Sequence, residues 1–414
     1  MSEPRQPPRH AAVAFVLVTV ALDVMALGLI IPVLPKLVEQ MSGTTERAAW
    51  IFGLFGTAWA LMQLIFSPVL GGLSDAYGRR PVLLLSSLGL GLDYILMALA
   101  PDLVWLFVGR VISGITAATF STAGAYIADV TPPAERAAKF GLIGAAFGIG
   151  FVLGPAIGGL LGQSDPRLPF WVASALSLSC AAYGYFLLPE SLPLERRSPF
   201  AFRQANPLGA LRLIRSGREL RGLSGAVFLY HVAHAVFPAV FVLHAGYRFG
   251  WGPGMVGLAL AGFGICSAIV QGAMIKPAVN AFGERTMLLF GMSAGIVGLI
   301  LLTLAPDPTT FWLGMPLMAL WGFIGPSAQG LMTRLVGPER QGQLQGAGAS
   351  LMGVASLIGP ALFTGAFALG IRPEWGAPLP GAPYLVAALL LAMALVLAWR
   401  VTRTAPGSEA HRQT

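Results

Sequence analysis

Apolar residues run along this chain in stretches of roughly twenty, the length a helix needs to cross a hydrocarbon core about 30 Å thick. Polar residues gather in the short breaks between them. The pattern predicts twelve transmembrane helices, over 11–35, 48–73, 80–100, 103–128, 137–162, 169–188, 222–246, 253–275, 284–305, 309–335, 343–370 and 382–400. Most connections are a few residues long. One, over 189–221, is long and polar. It separates a six-helix half (1–188) from a second (222–402), which a short tail (403–414) follows. The expectation is an all-α integral membrane protein of two pseudo-symmetric six-helix bundles.

Composition supports that reading. Hydrophobic residues make up 56% of the chain and charged residues 11%, with a mean hydropathy of +0.73. A soluble protein carries about 25% charged residues. The net charge of +8 would suit nucleic acid, but the basic residues sit in short loops between apolar runs and so report topology. With the N-terminus in the cytoplasm, twenty Lys and Arg fall on inside segments, among them Arg5, Arg9, Arg79, Arg80, Arg136 and Arg334. Five fall outside: Lys36, Arg47, Arg167, Arg248 and Arg372. Both termini and the linker are thus expected in the cytoplasm and the protein in the cytoplasmic (inner) membrane. Asp23 interrupts the first apolar run and no small-residue site follows, so no cleavable signal peptide is expected. Cys180 and Cys266 lie in apolar runs, which implies neither a disulfide framework nor a metal site.

The two halves echo each other. ERAAKFGLIGAAFGIGFVLGPAIGG leads into helix five and ERQGQLQGAGASLMGVASLIGPALF into helix eleven. Each sets an Arg before the helix and a Gly-Pro pair deep inside it, Gly154-Pro155 and Gly359-Pro360. Such repeats match the plan of secondary transporters. The pairs suit hinges, since neighbouring groups can satisfy the freed carbonyls. Close helix packing would also select them.

A few charged residues lie inside the spans. A carboxylate at mid-membrane costs roughly 2.5–3.5 kcal/mol on insertion scales, so such residues face a cavity and pair with one another. At about 1.5 Å per residue, Asp23 of helix one is about 18 Å from the cytoplasmic side and Asp93 of helix three about 20 Å. Arg110 of helix four falls at a similar level. The bland alternative is a fixed Asp93–Arg110 ion pair. At the cytoplasmic side, GGLSDAYGRRPVLL joins helices two and three. Its Asp75 needs a partner, and Asp129 at the end of helix four is a natural one for Arg79 or Arg80. That suggests a latch, built with Gly78, that holds the halves closed on the inside and breaks when they rock.

With these residues in view, the loop resembles the signature of the major facilitator superfamily. LFVGRVISGITAA, with Arg110, resembles its helix-four motif, and GFVLGPAIGG the helix-five motif of its antiporters. LDVMALGLIIPVLP, ALMQLIFSPVLGGLSDAYGRRPVLLLSSLGLGLDYILMA and LQGAGASLMGVASLIGP look like the tetracycline efflux proteins, over nearly the whole chain. That resemblance implies the major facilitator fold and proton-coupled export of a drug–metal chelate. It implies roles for Asp23, Asp93, Gln63, Arg110, Asp75 and Arg79. Two positions depart from the family. Gly295 stands where those pumps carry a helix-nine acid, and Ser267 where they carry a helix-eight His. Tetracycline as the substrate is therefore left open.

Asp23 and Asp93 are expected to alternate between proton-bound and Arg110-paired or substrate-paired states. In the second half no acid lies within a span; Glu284, Asp307, Glu339 and Glu374 are at ends or in loops. Helix seven offers YHVAHAVFP, with His231 and His234 three apart on one face. Histidine titrates near neutrality, so the two can share the coupling, or simply hydrogen-bond a neighbouring helix. No resident cofactor or metal is expected. The expected partners are a small-molecule substrate, a proton and the bilayer, with no nucleic acid and no obligatory protein partner. A transporter of a sugar, organic acid or other metabolite remains open, as does a non-transporting receptor or scaffold. No clustered nucleophile or metal set suggests an enzyme.

Overall fold

The computed structural model describes residues 9–117, 119–132, 135–200, 213–214, 217–372, 374 and 378–403. Arg5, the linker segments 201–212 and 215–216 and the tail beyond Arg403 lie outside the described residues. No strand occurs among the described residues. The helices are α1 (Arg9–Ile30), α2 (Leu34–Ser42), α3 (Thr45–Tyr77), α4 (Arg79–Leu99), α5 (Leu103–Thr116), α6 (Thr119–Val130), α7 (Arg136–Ser164), α8 (Leu168–Leu187), α9 (Arg218–His234), α10 (Val236–Phe249), α11 (Pro253–Ile269), α12 (Ile275–Leu304), α13 (Pro308–Ala319), α14 (Ile324–Arg334), α15 (Gln341–Gly370) and α16 (Ala382–Arg403).

Ten stretches are long and apolar enough to cross a membrane. The longest, Pro253–Leu304, bends at Gly283, which has φ 79° and ψ 157°. It therefore supplies two crossings, and α5 with α6 supplies a further one. The described residues thus form the twelve spans of the expected all-α architecture. Several helices outrun the apolar windows: α3 continues to Tyr77, and the eighth span runs through a π-turn, Val270–Met274, towards Gly283. Hydropathy marks only what faces hydrocarbon, whereas backbone hydrogen bonding carries a helix on into water.

Among the described residues, every third span is interrupted. The first breaks between α1 and α2, the fourth at Ala117, the seventh at Ala235, and the tenth at a 3-10 turn, Leu320–Phe323. Ala117 has φ −74° and ψ 51°, outside the helical region. Discontinuous helices are where transporters build binding sites, because an interruption frees backbone groups for a ligand.

Two compact units make up the fold. The first takes in the described residues of Met1–Gly43, Ala58–Asn206 and Trp251–Ala261; the second those of Thr44–Thr57, Pro207–Gly250 and Gly262–Thr414. In the first unit, Phe15, Val16, Val20 and Val24 of α1 form a core with Ala123, Tyr126 and Ile127 of α6 and Ile143 and Ala146 of α7. The segment from the eighth span joins this unit through Gly257, where a Cβ would lie 3.0 Å from the Gly159 Cα of α7. The segment from the second span joins the second unit in the corresponding way. A Cβ on its Gly56 would lie 2.8 Å from Pro360 of α15.

Candidate functional site

In the first unit, small residues bring backbones close enough to hold the charged ones in place. Gly150, Gly154 and Gly158 recur at one-turn intervals on α7 and press against α1. A Cβ at Gly154 would sit 2.7 Å from the Met25 carbonyl and 2.8 Å from the Gly28 Cα. These contacts flank Asp23 along α1 and set its height. The helix runs unbroken through Pro155, so Gly154 serves here as a point of close approach.

Asp93 is buried on α4, 2% exposed. Gly109 of α5 faces it: a Cβ there would lie 3.0 Å from Asp93 Oδ1. The next residue, Arg110, stacks its guanidinium over the Trp59 ring, 5.3 Å from the centroid. Neither Asp93 oxygen accepts a hydrogen bond from the described residues. A closed Asp93–Arg110 ion pair is therefore not formed in this state, although Arg110 is near enough for its charge to act on Asp93. Asp23, Asp93 and Arg110 all act electrostatically on the buried Tyr94 hydroxyl, and Asp23 also on Cys180 of α8. The three charges expected at one level thus share one neighbourhood, on spans one, three and four. Gln63 is half-buried on α3, one residue beyond Met62. The Met62 Cβ would lie 2.8 Å from a Cβ placed on Gly114 of α5.

At the α3–α4 junction, Gly78 has φ 108° and ψ 158°, a conformation glycine adopts without a Cβ penalty. Arg79, 8% exposed, pairs with Asp75 and places Nε 3.1 Å from Asp129 Oδ2. It also donates to Ser74 Oγ at 2.7 Å. Both Arg79 and Asp129 belong to the first unit. The expected tie across the halves is not what this pair makes; it braces spans three and four within one unit.

Sequence reasoning missed Glu190. Its carboxylate accepts from the backbone N–H of Arg79 (2.9 Å), Arg80 (3.2 Å), Ser191 (2.9 Å) and Leu192 (3.0 Å). It caps the start of α4 and ties the linker to the loop motif. An acid directly after a span, in PES, was the available signal.

In the second unit the counterpart is aromatic. His234 ends α9, and its ring lies 4.7 Å from that of Trp321, in the 3-10 turn of the tenth span. Tyr230 contacts His231 (5.1 Å), His234 (5.8 Å) and Trp321 (6.4 Å). The break at Ala235 follows at once, and Gly359 of α15 packs on the Ala235 Cβ. The two Gly-Pro pairs thus do the same job, each pressing on the span that holds its unit's candidate titratable groups. Gly295 is packed by Leu391, with a Cβ only 2.8 Å from Leu391 Cδ2 and 3.4 Å from Trp321. An acid here would require the Leu391 side chain to move. Ser267, half-buried on α11, carries no group that titrates near neutrality.

Twelve spans, repeated halves, interrupted helices and a buried charge cluster define a secondary-transporter architecture. The model of the Major Facilitator Superfamily matches residues 16–230 and 223–414, and the chain belongs to that superfamily. Within it, the chain is 41% identical over 360 residues to the tetracycline resistance protein, class C, of Escherichia coli, covering 86% of this chain and 90% of that one. It is 39% identical to the class G protein of Vibrio anguillarum, over 86% and 90%. Among solved structures, the human organic anion transporter TETRAN superposes with a TM-score of 0.70 at 25% identity, over 95% of this chain and 100% of that one.

Proposed function

We propose that this protein is a proton-coupled exporter of amphiphilic drugs, working by alternating access. It sits in the cytoplasmic (inner) membrane with both termini in the cytoplasm, the side on which the sequence concentrates Lys and Arg. One observation carries the reading: Asp93 is buried in the span region without a hydrogen-bond partner among the described residues, beside Arg110 and in one electrostatic neighbourhood with Asp23. A buried carboxylate without a partner is costly, and taking up a proton removes the charge. Asp23 and Asp93 carry the proton, and substrate or Arg110 replaces it when they are ionised. His231 and His234 share the coupling in the second unit. The partners are the drug, the proton and lipid; if the drug resembles tetracycline, it travels as a metal chelate. The identities to the tetracycline resistance proteins support export of this class.

The test is expression in an efflux-deficient host, challenged with a panel of amphiphilic drugs that includes tetracycline. Inside-out vesicles then measure uptake driven by a pH gradient. Raised resistance and gradient-dependent uptake of the same compound are expected. Normal susceptibility to every drug would sink the reading. It would favour an organic anion or other metabolite as cargo, which an Arg110 not closed onto Asp93 is placed to receive.

A further inference from the structure

The junction between the eighth and ninth spans repeats the α3–α4 junction with its charges inverted. The stretches are AYGRRPVLL, which ends at Leu84, and AFGERTMLL, which ends at Leu289. Gly283 adopts φ 79° and ψ 157°, close to the 108° and 158° of Gly78. After Gly78, Arg79 pairs with Asp129 at the end of the fourth span. After Gly283, Glu284 pairs with Arg334 at the end of the tenth, Oε2 to Nη2 at 2.9 Å. The next residues also correspond. Arg80 donates to the Tyr185 carbonyl in the sixth span, and Arg285 donates from Nε to Thr402 Oγ1 in the twelfth, at 3.1 Å.

At a third position the charge is lost. Where the first unit has Asp75, one turn before Arg79, the second has Asn280, one turn before Glu284. An acid there would repel Glu284, since across the matching Gly78 turn Asp75 reaches Arg79. Gly330 clears the space Glu284 occupies: a Cβ on it would lie 2.6 Å from Glu284 Oε1.

Helix dipoles explain why the second arrangement needs fewer supports. An acid is favoured at a helix start and a base at a helix end. Glu284 and Arg334 both satisfy that rule. Arg79 and Asp129 both oppose it, and Glu190, Ser74 and Ser191 compensate them.

We propose that Glu284 and Arg334 form a second brace, of opposite polarity, that holds spans nine and ten together and is needed for transport. Its functional arm rests on the exporter reading above, so two readouts are used. One is the export rate of whichever drug the wild-type chain exports. The other is the melting temperature of the purified protein. Glu284→Lys sets two cations side by side and should lower the export rate at least about fivefold, while E284K/R334E should recover it to within about twofold. Asn280→Asp, an exposed change of the same size, should lower the rate less. The melting temperature should fall in E284K and return in E284K/R334E. If the wild-type chain exports nothing, the exporter reading fails and the melting cycle still decides the pairing. The brace is overturned if E284K exports at the wild-type rate. It is also overturned if E284K/R334E, folded in normal amounts, is no better than the single variant in either readout.

Discussion

The two units hold their spans together by related means but fill their centres differently. In the first, glycines at one-turn intervals on α7 press α1 into place, and the space beside it holds Asp23, Asp93 and Arg110 with Tyr94. In the second, Gly359 makes the corresponding approach to Ala235, and the neighbouring space holds His231, His234, Tyr230 and Trp321. One centre is made of full charges in apolar surroundings, the other of rings. A charge answers to a proton or a counter-ion, whereas stacked rings answer to shape and apolar area. The duplicated scaffold has thus kept its mechanical contacts while its chemistry has become unequal.

That inequality can be broken by substitution. The largest effect is expected at Asp23. Asp23→Asn should reduce pH-driven uptake into inside-out vesicles to the level of empty vesicles, at normal protein levels; undiminished exchange would remove Asp23 from the coupling. Next come the contacts the units share. Gly154→Val must push a side chain into the α1 backbone, and overpacking of this kind costs about 1–3 kcal/mol. Gly359→Val meets the Ala235 Cβ, which moves only with its backbone, so thermal melting should fall for it as much as for Gly154→Val.

A smaller effect should separate packing from titration in the second unit. His234→Phe keeps a ring against Trp321 but cannot titrate. Export should persist, with a flatter dependence on pH. An unchanged pH profile would make His234 a packing residue. The smallest effects belong to the loop ends. Glu46→Gln breaks the half-exposed pair with Arg372, 2.9 Å apart, and should change stability by no more than about 1 kcal/mol. Asp307 caps α13. The N–H of Thr310, donating to its carboxylate, holds it below the usual carboxylate range. The cap therefore contributes above the unfolded value of 3.8 and is lost as pH falls through the lower folded value. Asp307→Ala should cause a slight loss of stability at neutral pH and none in strong acid.

Much of the fold was legible beforehand because hydropathy is a local property. Twenty apolar residues in a row cross a membrane whatever their neighbours do, and that alone gave the spans and the charges within them. The helix ends at Tyr77 and Gly283 were not legible, since they lie past the apolar windows. The latch was read with the right residues and the wrong span of action, because pairing Arg79 with Asp129 does not reveal which body the pair joins. Glu190 escaped notice because its partners are backbone N–H groups, and backbone donors leave no mark on residue types.

The sequence by itself determined the number of crossings, the repeat and which spans carry Asp23, Asp93 and Arg110. All of these follow from residue type and helical rise. Only the tertiary structure decided that Arg110 stacks on Trp59 with no hydrogen bond to Asp93, that Leu391 packs on Gly295, and that Glu284 mirrors Arg79. These depend on which surfaces meet across 50 or more residues of chain, and that is settled by how side chains pack.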